Sequence, residues 1–249
     1  MPILESLEGR ATWEVGRALY RAVPRALRRR RFRQFFGRGA LTPQGIFGVV
    51  DPYEHPQPRA AGLRFLKRMQ GRGPDLNIFG ADEVLGVGTV RFVSYATAAF
   101  ASLSTTGHAL PIVLDHDATG QWNGTYICYG SADSNLKTYD VEHLPEQVLY
   151  RFPFGANGMR CWELQGRQFT AHGNVDAAII LRIRNPFFPA HTLFVCAGLS
   201  EWGSSGAAWY LFNRWESLRA AFGRKNFCCI VEVTIGADES ARLIHSVSA

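Results

Sequence analysis

Apolar residues fall along this chain in short, near-continuous runs divided by Gly, Pro, Ser and Asp. "GTYICYG" (124–130), "VLYRFPF" (148–154), "RCWELQG" (160–166), "AAIILRIR" (177–184), "HTLFVCAG" (191–198) and "FCCIVEVTI" (227–235) each predict a strand. Shorter strands are expected at "GIFGVV" (45–50), ending at Asp51, at "ALPIVLD" (109–115), ending at Asp115, and near residues 243–247. Runs such as "LFVCA" and "FCCIV" lack polar alternation, which marks strands covered on both faces. Helical spacing is expected over 81–103, despite Gly86 and Gly88, over about 136–144, and over 205–222.

The strand–helix–strand unit from Leu193 to Ile235 has the size of a βαβ crossover. These elements predict an α/β sandwich with a mainly parallel central sheet. The strand-rich run from Val148 to Arg184 predicts an antiparallel strand insert. Two segments are expected: residues 1–40, a basic amphipathic helical segment, and residues 41–249, a single α/β domain.

Charge sharpens that division. The formal net charge is +6, but residues 1–38 hold ten Arg against three Glu, a local +7. The remaining 17 basic and 18 acidic residues give −1, so the basic character belongs to the N-terminal segment. Residues 12–36, "TWEVGRALYRAVPRALRRRRFRQFF", place Trp13, Leu19, Val23, Leu27 and Phe35 at roughly helical spacing, with Pro24 expected to kink or divide the helix. Three readings stay open: packing or partner docking with the arginines solvated, an anionic membrane surface, and nucleic-acid phosphates. The last is least supported, because the main domain carries no RNA-binding aromatic motif, zinc finger or helix-turn-helix pattern.

Composition, 47% hydrophobic and 19% charged, is that of a globular domain. No apolar run reaches the ~18–20 residues of a membrane span, and no secretory leader is recognisable. Five cysteines without a C-x-x-C pair read as buried thiols in a reducing, cytoplasmic setting, with peripheral membrane attachment through the basic helix left open.

Ligands of open α/β sheets collect at the carboxyl ends of strands, here Asp51, Asp115, Gly130, Asn185 and Gly198. Two of these ends carry Gly/Ser loops. In "YGSADSN", Gly130 permits a sharp turn, Ser131, Ser134 and Asn135 can donate hydrogen bonds, and Asp133 would repel a phosphate but could bond a ribose hydroxyl. The same residues would equally cap a helix. In "GLSEWGSSGAA", Gly198 to Ser205 trace G-x-x-x-x-G-S-S, the outline of a phosphate-binding P-loop with Ser204 in place of its lysine. Triphosphate hydrolysis by that route is therefore not expected. Gly198, Gly203, Ser204 and Ser205 read either as the second half of a nucleotide cradle or as a tight strand-to-helix turn. Trp202, placed in the loop, is a candidate for stacking on a base. "DHD" at 115–117 is weak as a metal site, and Asp51 with His55 is weak as an acid–base pair.

"ICYGSADSNLKT" resembles the G-G/S-x-x-x-N-x-x-T loop of SLOG-type Rossmann-like domains, and "AGLSEWGSSGAA" resembles their second glycine loop, with Ser204 in place of Thr. The resemblance spans roughly residues 110–235 and is nearest to the LOG-like domains associated with TIR and sirtuin proteins of bacterial defence. It implies a Rossmann-like three-layer sandwich that binds a nucleotide or NAD-derived ligand, or a cyclic nucleotide, and reports it to an effector protein; a homo-oligomer is expected only as the general default for soluble assemblies. Carried over by position, Gly130, Ser131, Ser134 and Asn135 form one ligand loop, and Gly198, Gly203, Ser204 and Ser205 the other, with Asp133 and Trp202 added as candidates on their own chemistry. Related cytokinin-activating hydrolases use a Glu after their glycine motif. Ala207 and Ala208 stand there instead, so the chain is read as a sensor before it is read as an enzyme. The alternatives are a hydrolase of nucleotides or N-glycosides using Asp51, Asp115, Asp133 or Glu201, and an interaction protein acting through its Arg-rich helix.

Overall fold

The structure, a computed structural model, describes residues 26–36, 44–47, 87–103, 112–145, 147, 149–155 and 158–249. Asp51, His55, Gly86, Pro24 and the N-terminal part of the basic segment lie outside the described residues. In chain order the elements are α1 (26–36), β1 (Gln44–Phe47), α2 (Val87–Leu103), β2 (Ile112–Leu114), α3 (Asp115–Ala118), β3 (Tyr126–Tyr129), α4 (Leu136–Glu142), β4 (Trp162–Leu164), β5 (Arg167–Phe169), β6 (Val175–Arg184), β7 (Thr192–Gly198), α5 (Glu201–Phe222), β8 (Phe227–Thr234) and β9 (Ala237–Ser248).

Seven strands form one mixed sheet in the order β2-β1-β3-β7-β6-β8-β9. The pairings β1–β2, β1–β3 and β3–β7 are parallel. Those of β6 with β7, β6 with β8 and β8 with β9 are antiparallel. The expected mainly parallel sheet is thus corrected to a half-parallel, half-antiparallel one. The reason is β6. It was expected within an insert, yet its run "VDAAIILRIR" lies between β7 and β8, and it is buried from Asp176 to Ile183. The crossover β7–α5–β8 steps over it. The separate antiparallel piece shrinks to the β4–β5 hairpin, which packs beside "VLYRFPF". That run makes only isolated bridges, Arg151 with Glu163 and Phe154 with Arg160.

Alternate residues of the central strands feed two cores. On one face Ile127, Tyr129, Ala178, Ile180, Phe194, Cys196, Phe227 and Cys229 pack beneath α1, α2 and α5. On the other, Tyr126, Cys128, Ile179, Leu181, Val195, Cys228 and Ile230 pack beneath α4 and the hairpin side chains Trp162, Leu164 and Phe169. All five cysteines are buried and unbridged.

The described part of the basic segment, α1, packs on this core. Its buried side is Phe32, Phe35 and Phe36, spaced i, i+3, i+4, and all three are almost fully enclosed. The Phe32 and Phe35 rings lie 5.2 and 6.4 Å from that of Trp215, and Phe36 lies 5.1 Å from Phe194. Of the expected stripe, Phe35 is buried and Leu27 is 48% exposed, while Trp13, Leu19 and Val23 lie outside the described residues. No helix among the described residues is long and apolar enough to cross a membrane.

Candidate functional site

The carboxyl ends of β3 and β7 share one edge of the sheet. Because β6 runs the other way, Asn185 at its carboxyl end sits at the opposite edge, and its amino end brings Asp176 to the site instead. The start of β9 brings Asp238 to the same edge.

At the first loop, Gly130 holds φ +103°, a conformation few other residues adopt, and its N–H donates to Cys196 O at 2.9 Å. Asn135 is buried. Its Oδ1 accepts from Thr138 N at 2.9 Å as the cap of α4, and its Nδ2 donates to Tyr129 O at 2.9 Å. Asp115 Oδ2 accepts from Leu136 N at 2.8 Å, so this buried carboxylate also serves the α4 terminus. Ser131 is half-buried and Ser134 exposed, with the Ser134 hydroxyl donating to Ser131 O at 3.2 Å.

Asp133 is held by Arg160 through two bonds, Nε to Oδ2 at 2.9 Å and Nη2 to Oδ1 at 2.7 Å. Both side chains are about 30% exposed. Arg160 also donates from Nη1 to Phe152 O at 2.8 Å, and its guanidinium lies 4.1 Å from the ring of Phe154, which is 54% exposed. Beside this pair Glu142, half-buried at the end of α4, has its carboxyl pushed up to about 7, chiefly by burial, with Asp133 adding and His143 and Arg160 opposing.

The second glycine motif is arranged differently. The expected start of the helix at Ser205 is corrected to Glu201, so Trp202, Gly203 and Ser204 are helical residues and not loop. The terminus is already filled by a carboxylate of the protein. Asp176 Oδ2 accepts from Ser200 N at 2.9 Å, from the Ser200 hydroxyl at 2.5 Å and from Gly203 N at 2.8 Å. Asp176 is 1% exposed, and its Oδ1 has no hydrogen-bond partner. A phosphate at this terminus would meet that charge.

Ser204 Oγ accepts from Gly198 N at 2.8 Å and donates to Ser200 O at 3.1 Å. The Ser205 hydroxyl donates to Asp238 Oδ1 at 2.6 Å. A Cβ on Gly203 would lie 2.7 Å from Asp176 Cγ and 2.9 Å from Gly198 Cα, so the glycines let strand and helix touch. The small residues from Gly203 to Ala208 are buried. They bring α5 close onto the sheet, which is the tight-turn reading of the motif.

Trp202 does not stand open for a base on every side. Arg91 from α2 stacks on its ring at 3.7 Å and reaches Asp238 Oδ1 at 3.8 Å. Asp238 Oδ2 accepts from the Tyr95 hydroxyl at 2.7 Å, and burial with that bond pushes the Tyr95 phenol up to about 12. Glu201, a carboxylate considered for catalysis, accepts from the Gly88 amide.

Ser131, Asp133 and Ser134 therefore come together at the surface on a loop whose ends, Gly130 and Asn135, are buried, while Gly203, Ser204 and Ser205 turn their polar groups into the protein. Sequence reasoning missed Arg160, Glu142, Asp176 and Asp238. Only Asp176 carried a signal, as a lone acid opening a long apolar strand. Comparison of the chain with protein-family models, with curated proteins and with solved structures gives no match.

Proposed function

We propose that this protein binds a nucleotide-derived ligand at the Gly130–Asn135 loop and signals its presence to a protein partner. The observation that carries the reading is the Asp133–Arg160 pair at that loop. Beyond its bonds to Asp133 and Phe152 O, Arg160 has one further N–H on each of Nη1 and Nη2 to offer a phosphate, the neighbouring carboxylate suits a ribose hydroxyl, and the exposed ring of Phe154 offers apolar surface to a base. The half-parallel sheet supplies the strand ends that a Rossmann-like nucleotide site uses. The resemblance to SLOG-type domains supports a sensor working with an effector in bacterial defence.

The ligand contacts differ from a symmetrical two-loop cradle. Arg160, Asp133, Ser131 and Ser134 make them, and the α5 terminus contributes shape rather than phosphate binding. Thermal-shift titration with nucleoside phosphates, NAD, ADP-ribose and cyclic nucleotides tests this. A stabilising ligand is expected, and Arg160→Gln should weaken it about tenfold or more, the scale of one lost charged hydrogen-bond pair. No shift with any of these at about millimolar concentration, where Kd corresponds to about 4 kcal/mol, overturns the proposal.

Glu142 favours a second reading, cleavage of the ligand's N-glycosidic or phosphate bond. A carboxyl near 7 can exchange a proton at neutral pH. Product formed from NAD or a nucleoside monophosphate, and lost in Glu142→Gln with binding retained, would select the enzyme over the sensor.

A further inference from the structure

At the opposite edge of the sheet from the Gly130 loop, α1 and the turn after α5 enclose an open groove. Ala26, Arg29, Arg30, Arg33, Gln34 and Arg224 line it. Ala26, Arg29, Arg30 and Arg33 share a helix face through their i, i+3 and i, i+4 spacing. Phe32, Phe35 and Phe36, on the other side of the helix, are enclosed in the core. Arg28 is paired with Glu216 at 3.0 Å, while no ion pair between the four groove arginines and an acidic side chain is found among the described residues.

The chemistry of the lining narrows the occupant. A lipid surface holds a basic helix by inserting its apolar face, and here the phenylalanines that would insert are buried. A protein partner held by an apolar or aromatic anchor finds, among the described residues, only Ala26 in the groove and Leu27 exposed on the same helix. A phosphodiester backbone needs neither. It needs several guanidinium forks along a concave track, and no contact with base edges.

The geometry points to this groove as a site for the phosphate backbone of a nucleic acid, bound without regard to sequence. This goes beyond the nucleotide reading and uses none of its residues. Four neutralised phosphates give a slope of log K against log salt of about −3.6 on duplex DNA.

The test is fluorescence anisotropy of the full chain with two labelled duplexes of unrelated sequence, each about 20 base pairs, between about 50 and 200 mM salt. Equal affinity for both duplexes is expected, with the slope above. Arg33→Gln should reduce the slope by about one, and the triple variant Arg29→Gln/Arg30→Gln/Arg33→Gln should lower affinity about 100-fold at the low-salt end. Arg160→Gln should leave duplex binding unchanged, which separates this site from the Gly130 loop. Should the triple variant fail to fold, the slopes of Arg33→Gln and Arg224→Gln decide. No binding at about 50 mM salt overturns the inference, as does binding that survives the arginine substitutions or binding to phosphatidylserine-containing vesicles in place of the duplex.

Discussion

Asp176 and Arg182 sit six residues apart on one face of β6 and hold opposite ends of α5. Asp176 takes the amides and hydroxyl at the N-terminus. Arg182 donates from Nη1 to Arg224 O and Lys225 O at 2.8 Å, in the turn that follows the helix, and from Nε to Phe35 O at 2.9 Å at the end of α1. An anion at the start of a helix and a cation at its end both match the peptide dipoles. Burial brings the Arg182 guanidinium down to about 10, with Arg184 and Arg224 adding, yet it stays charged at neutral pH. Replacing Asp176 with Ala should cost about 3 kcal/mol, because three donors lose one acceptor, and Asp176→Asn less. Arg182→Met should cost a similar amount and release α1 first. Urea unfolding measures the loss, and hydrogen exchange over 26–36 locates it.

Gly203 tests the close approach of β7 and α5 rather than a ligand. The Cβ of Gly203→Ala would press on the Asp176 carboxyl and the Gly198 backbone. A loss of about 3 kcal/mol is expected whether or not any nucleotide is present. An unchanged melting temperature would show that strand and helix can separate there.

Glu142 makes stability depend on pH. Its carboxyl is raised from about 4.5 to about 7, so the folded state holds a proton that the unfolded chain gives up. That contribution is full below about 4.5 and is lost as pH rises through about 7. Glu142→Gln should therefore flatten the stability profile between those values and raise stability at pH 8 by about 1–2 kcal/mol, after allowance for partial solvent screening. Chemical unfolding at a series of pH values reads this directly.

The thiols should be silent in the folded state. Burial pushes Cys128 and Cys229 up to about 12 and Cys196 and Cys228 upward as well. A disulfide reagent at pH 8 should react at the unfolding rate, and all five thiols should become available together once denaturant is added.

Most strands were legible because both faces of the sheet are covered, which leaves the runs 126–129, 193–198 and 227–231 apolar. Their partners were not. β6 and β7 read alike in sequence, and nothing local records that one is inverted between β7 and β8. β9 was expected as a short piece near 243–247 because its outer side is polar, while the strand spans Ala237–Ser248 as the sheet edge. The Gly130 loop was readable from its turn and cap residues. Arg160 was not, since it reaches Asp133 from 27 positions away. "GSSGAA" misled because the residues that allow a phosphate to approach a backbone are the same ones that allow a strand to do so.

The clamp on α1 sets an order of events during synthesis. Phe35 packs against Phe194, Trp215 and Phe227, and its carbonyl waits for Arg182. The first described helix to leave the ribosome therefore cannot find its seat until almost the whole chain has followed it. Until then Phe32, Phe35 and Phe36 lack the side chains that bury them in the folded protein.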